Sequence, residues 1–498
     1  MDSGIAILFV PQSKAVFYLE SLFMKSFKHS LLFSLIFVMP LAFAANDVQT
    51  GRNDQKQVSL TIYERDLALV RDVRQVPLYN GTVKVRFVDV SERIQPETVM
   101  LKDQSSGRIS VAQIYFDNNL LTPQTLLESY VGKKVKVIKT NPATGSETEE
   151  LAEVLSAQGG IVLKIGNRIE TSVPGRIVYD HIPNGLQSKP TLTVELDSNS
   201  NRSQQLELDY LTNGIGWNAN YVAQLNDSET RMNLSGWAAI SNNSGTEFKN
   251  ARVQLIAGSP NMTSARPLLM AAARSAKFDA MPAGNEISQE SFADYHLYTL
   301  PQKVTLANNQ TRQYSLLNAN DVKVKKEWVL NGGNYYYRSR MPNVSDNLPV
   351  NMTVTFKNMK GDRLGMPLPG GTVRFYQTDN RGNQQFLGES QMSHTPVNGA
   401  VSLKMGESFD VTGSRKQTEY KMLPSQDQSM RTYESAYEVV LKNAKSNGVT
   451  VQVKEPIPGS WQILQENYSH VKDGMTAVWN IRVPANGEAT LTYRVRVE

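Results

Sequence analysis

Apolar and polar residues alternate with a period of two through most of the chain, most regularly over residues 206–258. Successive side chains of a strand point to opposite faces, so this period predicts strands with one buried side. Leu206, Leu208 and Tyr210 share one face, and Trp217, Ala219, Tyr221, Ala223 and Leu225 share another. Met232, Leu234, Gly236, Ala238 and Ile240 form a third. The breaks Asn213-Gly214-Ile215-Gly216, Asn226-Asp227 and Asn242-Asn243-Ser244-Gly245 use residues that tolerate turn geometry, so a four-stranded meander is expected. Trp237 falls on the polar face with Asn233, Ser235 and Ser241, where an indole must be covered by another domain or be exposed.

The same alternation runs before and after that stretch. Val58, Leu60 and Ile62 begin a strand, Leu67-Ala68-Leu69-Val70 continues it, and Tyr79-Asn80-Gly81 turns the chain into the next, giving a first antiparallel sheet over 45–117. Thr122-Pro123 places a capping residue before proline at the first helical position, so a short helix is expected over 124–130. Five short strand patterns follow within 132–178, a spacing that suits a small SH3-like barrel occupying 118–185. Residues 259–292 lose the period. With Met262, Met270, Met281 and the Ala271-Ala272-Ala273 run, they are expected to form a mobile loop with at most one short helix, over 268–275. Some ten strands with Gly, Asn and Pro breaks then fill 293–498, which with 186–258 forms a sandwich. The expected class is all-β, with antiparallel sandwich domains and one small inserted barrel. An outer-membrane barrel fits less well, because Lys323, Lys325 and Arg374 lie across the strands and no face is uniformly apolar.

Residues 24–44 stand apart. Met24-Lys25-Ser26-Phe27-Lys28-His29 is basic, Leu31 to Met39 is apolar, and Leu41-Ala42-Phe43-Ala44 ends in an Ala-x-Ala pattern, so a secretory signal cleaved after Ala44 is expected. Residues 1–23 read as an extension ahead of the true start at Met24. The apolar run is shorter than the roughly 20 residues that span a bilayer, and no run of that length follows it. The expected location is periplasmic or secreted. Cysteine is absent, which excludes disulfides, thiol catalysis and a lipidated N-terminal cysteine. Beyond residue 44, 49 basic residues stand against 45 acidic ones, a surplus too small to point to nucleic acid as a partner.

The segments Tyr210-Leu211-Thr212-Asn213-Gly214, Trp217, Tyr221, Gly236-Trp237, Asn242-Asn243-Ser244-Gly245, Phe248-Lys249-Asn250-Ala251 and Leu255-Ile256-Ala257-Gly258 resemble the signature of the bacterial DUF4139 family. The likeness continues through Tyr295-His296-Leu297-Tyr298-Thr299-Leu300 and Glu455-Pro456-Ile457-Pro458-Gly459-Ser460-Trp461, and more weakly back to about residue 58. The resemblance implies a secreted, β-rich architecture and brings no catalytic residues with it.

Motifs for chemistry are sparse. His181, His296, His394 and His470 have no metal-binding spacing, and His296 attracts interest only through its neighbours Tyr295 and Tyr298. Asp197-Ser198-Asn199-Ser200-Asn201 begins like a calcium loop but has Arg202 and Leu208 where glycine and a bidentate carboxylate belong, so a polar turn is expected. Ser469 and Lys472 have the spacing of an acylation pair without its companion motifs. One constellation suits ligand binding: Tyr335, Tyr336, Tyr337, Arg338 and Arg340, after Asn331-Gly332-Gly333-Asn334 and close behind Lys323, Lys325 and Lys326. Aromatic faces with guanidinium groups stack on sugars or grip anions, whereas an edge hairpin guarded by lysines is the plainer account. The expectation is a protein without cofactor or metal that binds or scaffolds an envelope protein or glycan. A glycan- or anionic-polymer-binding module and a cryptic hydrolase are the alternatives.

Overall fold

The computed structural model describes residues 46–104, 109–258, 260–261, 287–341, 343–424 and 431–498. The secretory signal with Ala44 and the short helix expected over 268–275 lie outside them. The fold is all-β, and no helix among the described residues is long and apolar enough to cross a membrane.

Among the described residues, five sheets account for the strands. Three of them enclose the main core, joined by Val354, Phe356, Val401, Leu403 and Met405 from the nine-stranded sheet. A four-stranded sheet orders Asn46–Thr50, Gly81–Val88, Thr191–Ser198 and Ile109–Asp117. An eight-stranded sheet includes Phe248–Ala257, Gln55–Tyr63, Leu67–Pro77 and Ser203–Thr212 as neighbours. A five-stranded sheet orders Gln310–Lys323, Arg231–Asn242, Ile215–Leu225, Gly371–Thr378 and Gln384–Met392. Their inward residues, among them Leu60, Val85, Leu208, Tyr221, Leu234 and Phe375, form one continuous apolar core.

The predicted faces of residues 206–258 are buried as expected, but the meander is not what forms. Only Ile215–Leu225 and Arg231–Asn242 make a hairpin, with Ala219 opposite Ala238. Ser203–Thr212 pairs with Leu67–Pro77, and Phe248–Ala257 lies parallel to Gln55–Tyr63, both in the facing sheet. The reason lies in the breaks. At Asn226 the side-chain oxygen accepts from the amides of Thr230 and Arg231, closing a surface turn. At Asn242 the buried side-chain amide donates to Thr246 O and Leu306 O, and its oxygen accepts from Ser244. That fixes a buried corner that carries the chain from one sheet to the next. Gly214, at φ +84°, serves the other corner, where a Cβ would stand 2.7 Å from Asn243 O.

Two further expectations are corrected. Four ladders are parallel among the described residues, including Ile215–Leu225 with Gly371–Thr378, so the sandwich is mixed rather than purely antiparallel. Parallel pairing needs a long crossover, and the excursion of more than a hundred residues between those two strands provides it. The strands of 46–117 also have no sheet of their own; they share both layers with strands from 186–258.

Within 118–185, Thr122 caps the helix Pro123–Ser129 by accepting from Thr125 N. The five expected strands form a ladder running from Arg168–Glu170 to Arg176–Val178. Those end strands, three residues each, do not pair with one another, so no closed barrel is seen. Of the expected loop 259–292, the part Ser288–Phe292 is a strand paired with Tyr295–Thr299.

The nine-stranded C-terminal sheet has Trp461–Glu466 at one edge and Val471–Asp473 at the other. These edges follow one another in the chain, joined by residues 467–470, so the sheet is curled around its own core of Tyr437, Val451, Trp479, Tyr493 and neighbours.

Arg74 joins the two inner layers. From the strand Leu67–Pro77 it pairs with Asp72 at 2.7 Å and donates to Thr50 O and Val88 O in the four-stranded sheet. Its exposure is 1%, so removing the guanidinium leaves two carbonyls unanswered and the buried Asp72 charge with only the Gln55 amide as a donor. Arg74→Met is expected to lower the stability by about 3–5 kcal/mol, read as a reduced urea midpoint at unchanged slope.

Candidate functional site

The Tyr335 to Arg340 constellation is divided by the fold. The strand Lys325–Asn331 ends at Gly332, where a Cβ would lie 2.1 Å from Glu455 Oε2, so only glycine lets the chain pass over that carboxylate. Beyond it the backbone is a turn. Consecutive side chains there are not forced to opposite faces, and Tyr336 and Tyr337 both point inward at zero exposure. Tyr335, Arg338 and Arg340 remain exposed. The five residues therefore do not form one surface, and the two tyrosines between them are core residues.

Inside the curled sheet both tyrosine hydroxyls donate to Glu455 Oε2, that of Tyr337 at 2.8 Å. Arg415 Nη2 donates to the other oxygen, Oε1, at 2.5 Å. Tyr337 Oη lies 3.2 Å from Tyr493 Oη, and Tyr437 Oη donates to Tyr336 O. Gln417 closes the turn: its amide donates to Tyr336 O and Ser339 O, and its oxygen accepts from Met341 N. Burial, with the Glu455 charge behind it, pushes the hydroxyls of Tyr336, Tyr337 and Tyr493 far above the ordinary phenol value. Burial pushes Tyr437 up to about 12. Burial works against the Arg415 charge, and Glu455 outweighs it, so the guanidinium stays protonated. Phenols held neutral and a carboxylate with both oxygens engaged offer no nucleophile or base to a substrate.

A second group was not visible in the sequence. Glu64, in the turn between Gln55–Tyr63 and Leu67–Pro77, lies 3.5 Å from Nε2 of His394. The Gly370 amide donates to His394 Nδ1 at 3.0 Å, so the hydrogen of the neutral ring sits on Nε2 and faces the carboxylate. Burial raises the Glu64 carboxyl above the ordinary glutamate value, against the pull of His394 and Arg65. The hydroxyls of Tyr221 and Tyr298 donate to Pro369 O and Pro367 O, and burial, with Glu64 adding, raises both. A half-buried carboxylate beside a partly exposed imidazole is a common acid–base arrangement. Here both ring nitrogens are already engaged, which leaves His394 no lone pair for a substrate proton.

The remaining histidines have internal partners. His470 Nδ1 lies 2.9 Å from Glu466 Oε2, the atom to which buried Trp479 donates. His296 Nδ1 lies 3.0 Å from Gln289 Nε2, and the His181 carbonyl accepts from Tyr130 Oη. Lys472, on a strand rather than a helix, sits 4.4 Å over the Trp461 ring. Asp197 lies one residue before the end of a strand and accepts from Thr82 Oγ1. Among the described residues, no three His, Asp or Glu side chains are placed to share a metal ion.

The family model for the domain of unknown function DUF4139 matches residues 206–498, more than half of the chain. The chain belongs to the DUF4139 family. No curated protein matches it. Within the DUF4139 region, the Glu455-Pro456-Ile457-Pro458-Gly459-Ser460-Trp461 segment now has a physical role, because its glutamate is the hub of the tyrosine network. Glu64 lies outside the DUF4139 match, so the Glu64–His394 contact ties the N-terminal strands to the family domain.

Three outcomes are expected. Glu455→Gln removes the charge opposite buried Arg415 and should cost about 3–5 kcal/mol, while Tyr337→Phe, which loses one hydrogen bond to a charged acceptor, should cost about 1.5–3 kcal/mol in the same urea titration. Glu64 behaves differently. Its folded value lies above the ordinary 4.5, so in the window above pH 4.5 folding takes up a proton and stability falls as pH rises. Glu64→Gln lacks that slope, so the stability difference between variant and parent should grow in the variant's favour from acid to neutral pH.

Proposed function

We propose that this DUF4139 protein is an exported, non-catalytic β-sandwich protein that binds or scaffolds a component of the cell envelope. The observation that carries the reading is the engagement of the ionisable clusters by the chain itself: Glu455 with Arg415, Tyr336 and Tyr337, and His394 with Gly370 and Glu64. Groups so engaged position strands and leave ligand recognition to exposed surface. The basic, apolar and Ala-x-Ala succession ending at Ala44 supports export to the periplasm or beyond.

A glycan- or anion-binding role is the second reading. It is favoured by Tyr335, Arg338 and Arg340, which stay exposed; neither arginine joins an ion pair among the described residues, and Arg338 donates to Glu498 O.

Expression of the full chain in a bacterium, followed by fractionation and N-terminal sequencing, should yield an envelope or secreted form beginning at Ala45. An unprocessed cytoplasmic protein would overturn export. The purified mature form should turn over no ester, peptide or glycoside substrate faster than a Glu64→Gln/His394→Ala double variant; turnover abolished by either single substitution would establish an enzyme instead.

A further inference from the structure

We propose that the outward face of the five-stranded sheet binds a neutral glycan chain, with Trp237 and the Tyr376–Phe386 pair stacking on sugar rings and side-chain amides taking the hydroxyls. The inference rests on the envelope-binding reading and names its ligand class.

Register puts these residues on one face. Gln224 stands opposite Asn233 on one side and Tyr376 on the other, and Tyr376 opposite Phe386. Four residues along the strand, Asn220 stands opposite Trp237 and Thr372, with Ser315 beyond Trp237 and Gln391 beyond Thr372. Paired strand residues share a face, and the alternate ones, Ala219, Tyr221, Ala223 and Leu225, are all buried in the core. The face is therefore outward and open. Gln224, Asn233, Ser315 and Gln391 are exposed, Phe386 is 56% exposed, and Trp237 and Tyr376 are half-buried. The indole left on a polar face stays half-buried there among the described residues.

The chemistry matches sugar. A pyranose ring presents C–H groups on its faces and hydroxyls around its edge, so it needs flat apolar rings flanked by groups that both donate and accept. The Tyr376 and Phe386 rings lie 5.5 Å apart. Strand and residue spacings put Trp237 roughly 16 Å from Tyr376, the span of a short oligosaccharide. Amides carry a donor and an acceptor on one plane, and those of Asn218 and Gln224 have no hydrogen-bond partner among the described residues. At the Tyr376 end the face opens into a shallow groove of about 540 Å³ whose lining includes Gln224, Asn226, Asp227, Ser228, Asn233 and the Arg231–Asp321 pair.

Charge decides for a neutral chain. The face carries Arg374 beside Glu389 at 3.1 Å and Arg231 beside Asp321 at 2.8 Å, and Lys323, opposite Arg231, is offset by Asp227 in the groove, so acids and bases balance and no net field remains to gather an acidic polymer.

Calorimetric titration of the mature protein with chitohexaose, cellohexaose and maltohexaose, with heparin alongside, tests the site. At least one neutral oligosaccharide should bind with an affinity insensitive to salt. Trp237→Ala and Tyr376→Ala should each weaken it about tenfold. Gln224→Arg, an exposed change that blocks the groove without touching the core, should do the same even if an aromatic variant folds poorly, and Arg338→Ala should leave binding intact. Binding of none of these oligosaccharides, binding untouched by all three face variants, or binding confined to heparin and lost with salt and Arg338→Ala would overturn the proposal. The last outcome leaves the envelope-binding reading standing at the other surface, and hydrolysis of an oligosaccharide would remove both.

Discussion

A carboxylate at zero exposure persists in a folded protein only if its charge is answered at close range, and Glu455 imposes that requirement on the whole C-terminal sheet. Arg415 answers it from the strand Ala400–Leu423, and Tyr336 and Tyr337 answer it from a turn that must enter the interior to do so. The turn enters only because Gly332 has no Cβ to strike the carboxylate, and it stays because Gln417 holds its carbonyls. The stacked rings of Tyr437 and Tyr493 then fill the space around it. One buried charge thus accounts for a loop path and the setting of the aromatic rings around it.

The same economy appears at the other junctions. Arg74 binds two layers through carbonyls of strand ends, Asn242 turns a buried corner through its amide, and His394 meets Glu64 across the boundary of the family domain. In each case polar side chains serve the backbone or another side chain of the same protein. What faces outward is the aromatic and amide rows of the five-stranded sheet and the cationic loop around Arg338, the surfaces on which the proposed binding rests. The interior specifies the fold, and the surface is free to carry function.

Much of the architecture was legible because alternation reports strand faces directly, and Trp217, Tyr221 and Leu234 are buried where the period puts them. Thr122-Pro123 marked the helix for an equally local reason. Pairing was not legible, since a period of two says which face is buried and nothing about which strand lies alongside; hence a meander was expected where two corners occur. Tyr336 and Tyr337 misled because the alternation rule lapses in a turn. Glu64 and His394 are 330 positions apart, and no local pattern joins them. Trp237 was the most informative local signal, an indole out of phase with its strand.

The claim that the Glu455 cluster is an internal brace is tested most directly by a double-mutant cycle between Arg415→Met and Glu455→Leu, measured by urea unfolding. The brace predicts that each single change is severe and that the pair together is far milder than their sum, with a coupling of about 2–3 kcal/mol. Single changes that cost little, or that add within about 0.5 kcal/mol, would show that the two groups are not held for each other and would contradict the account.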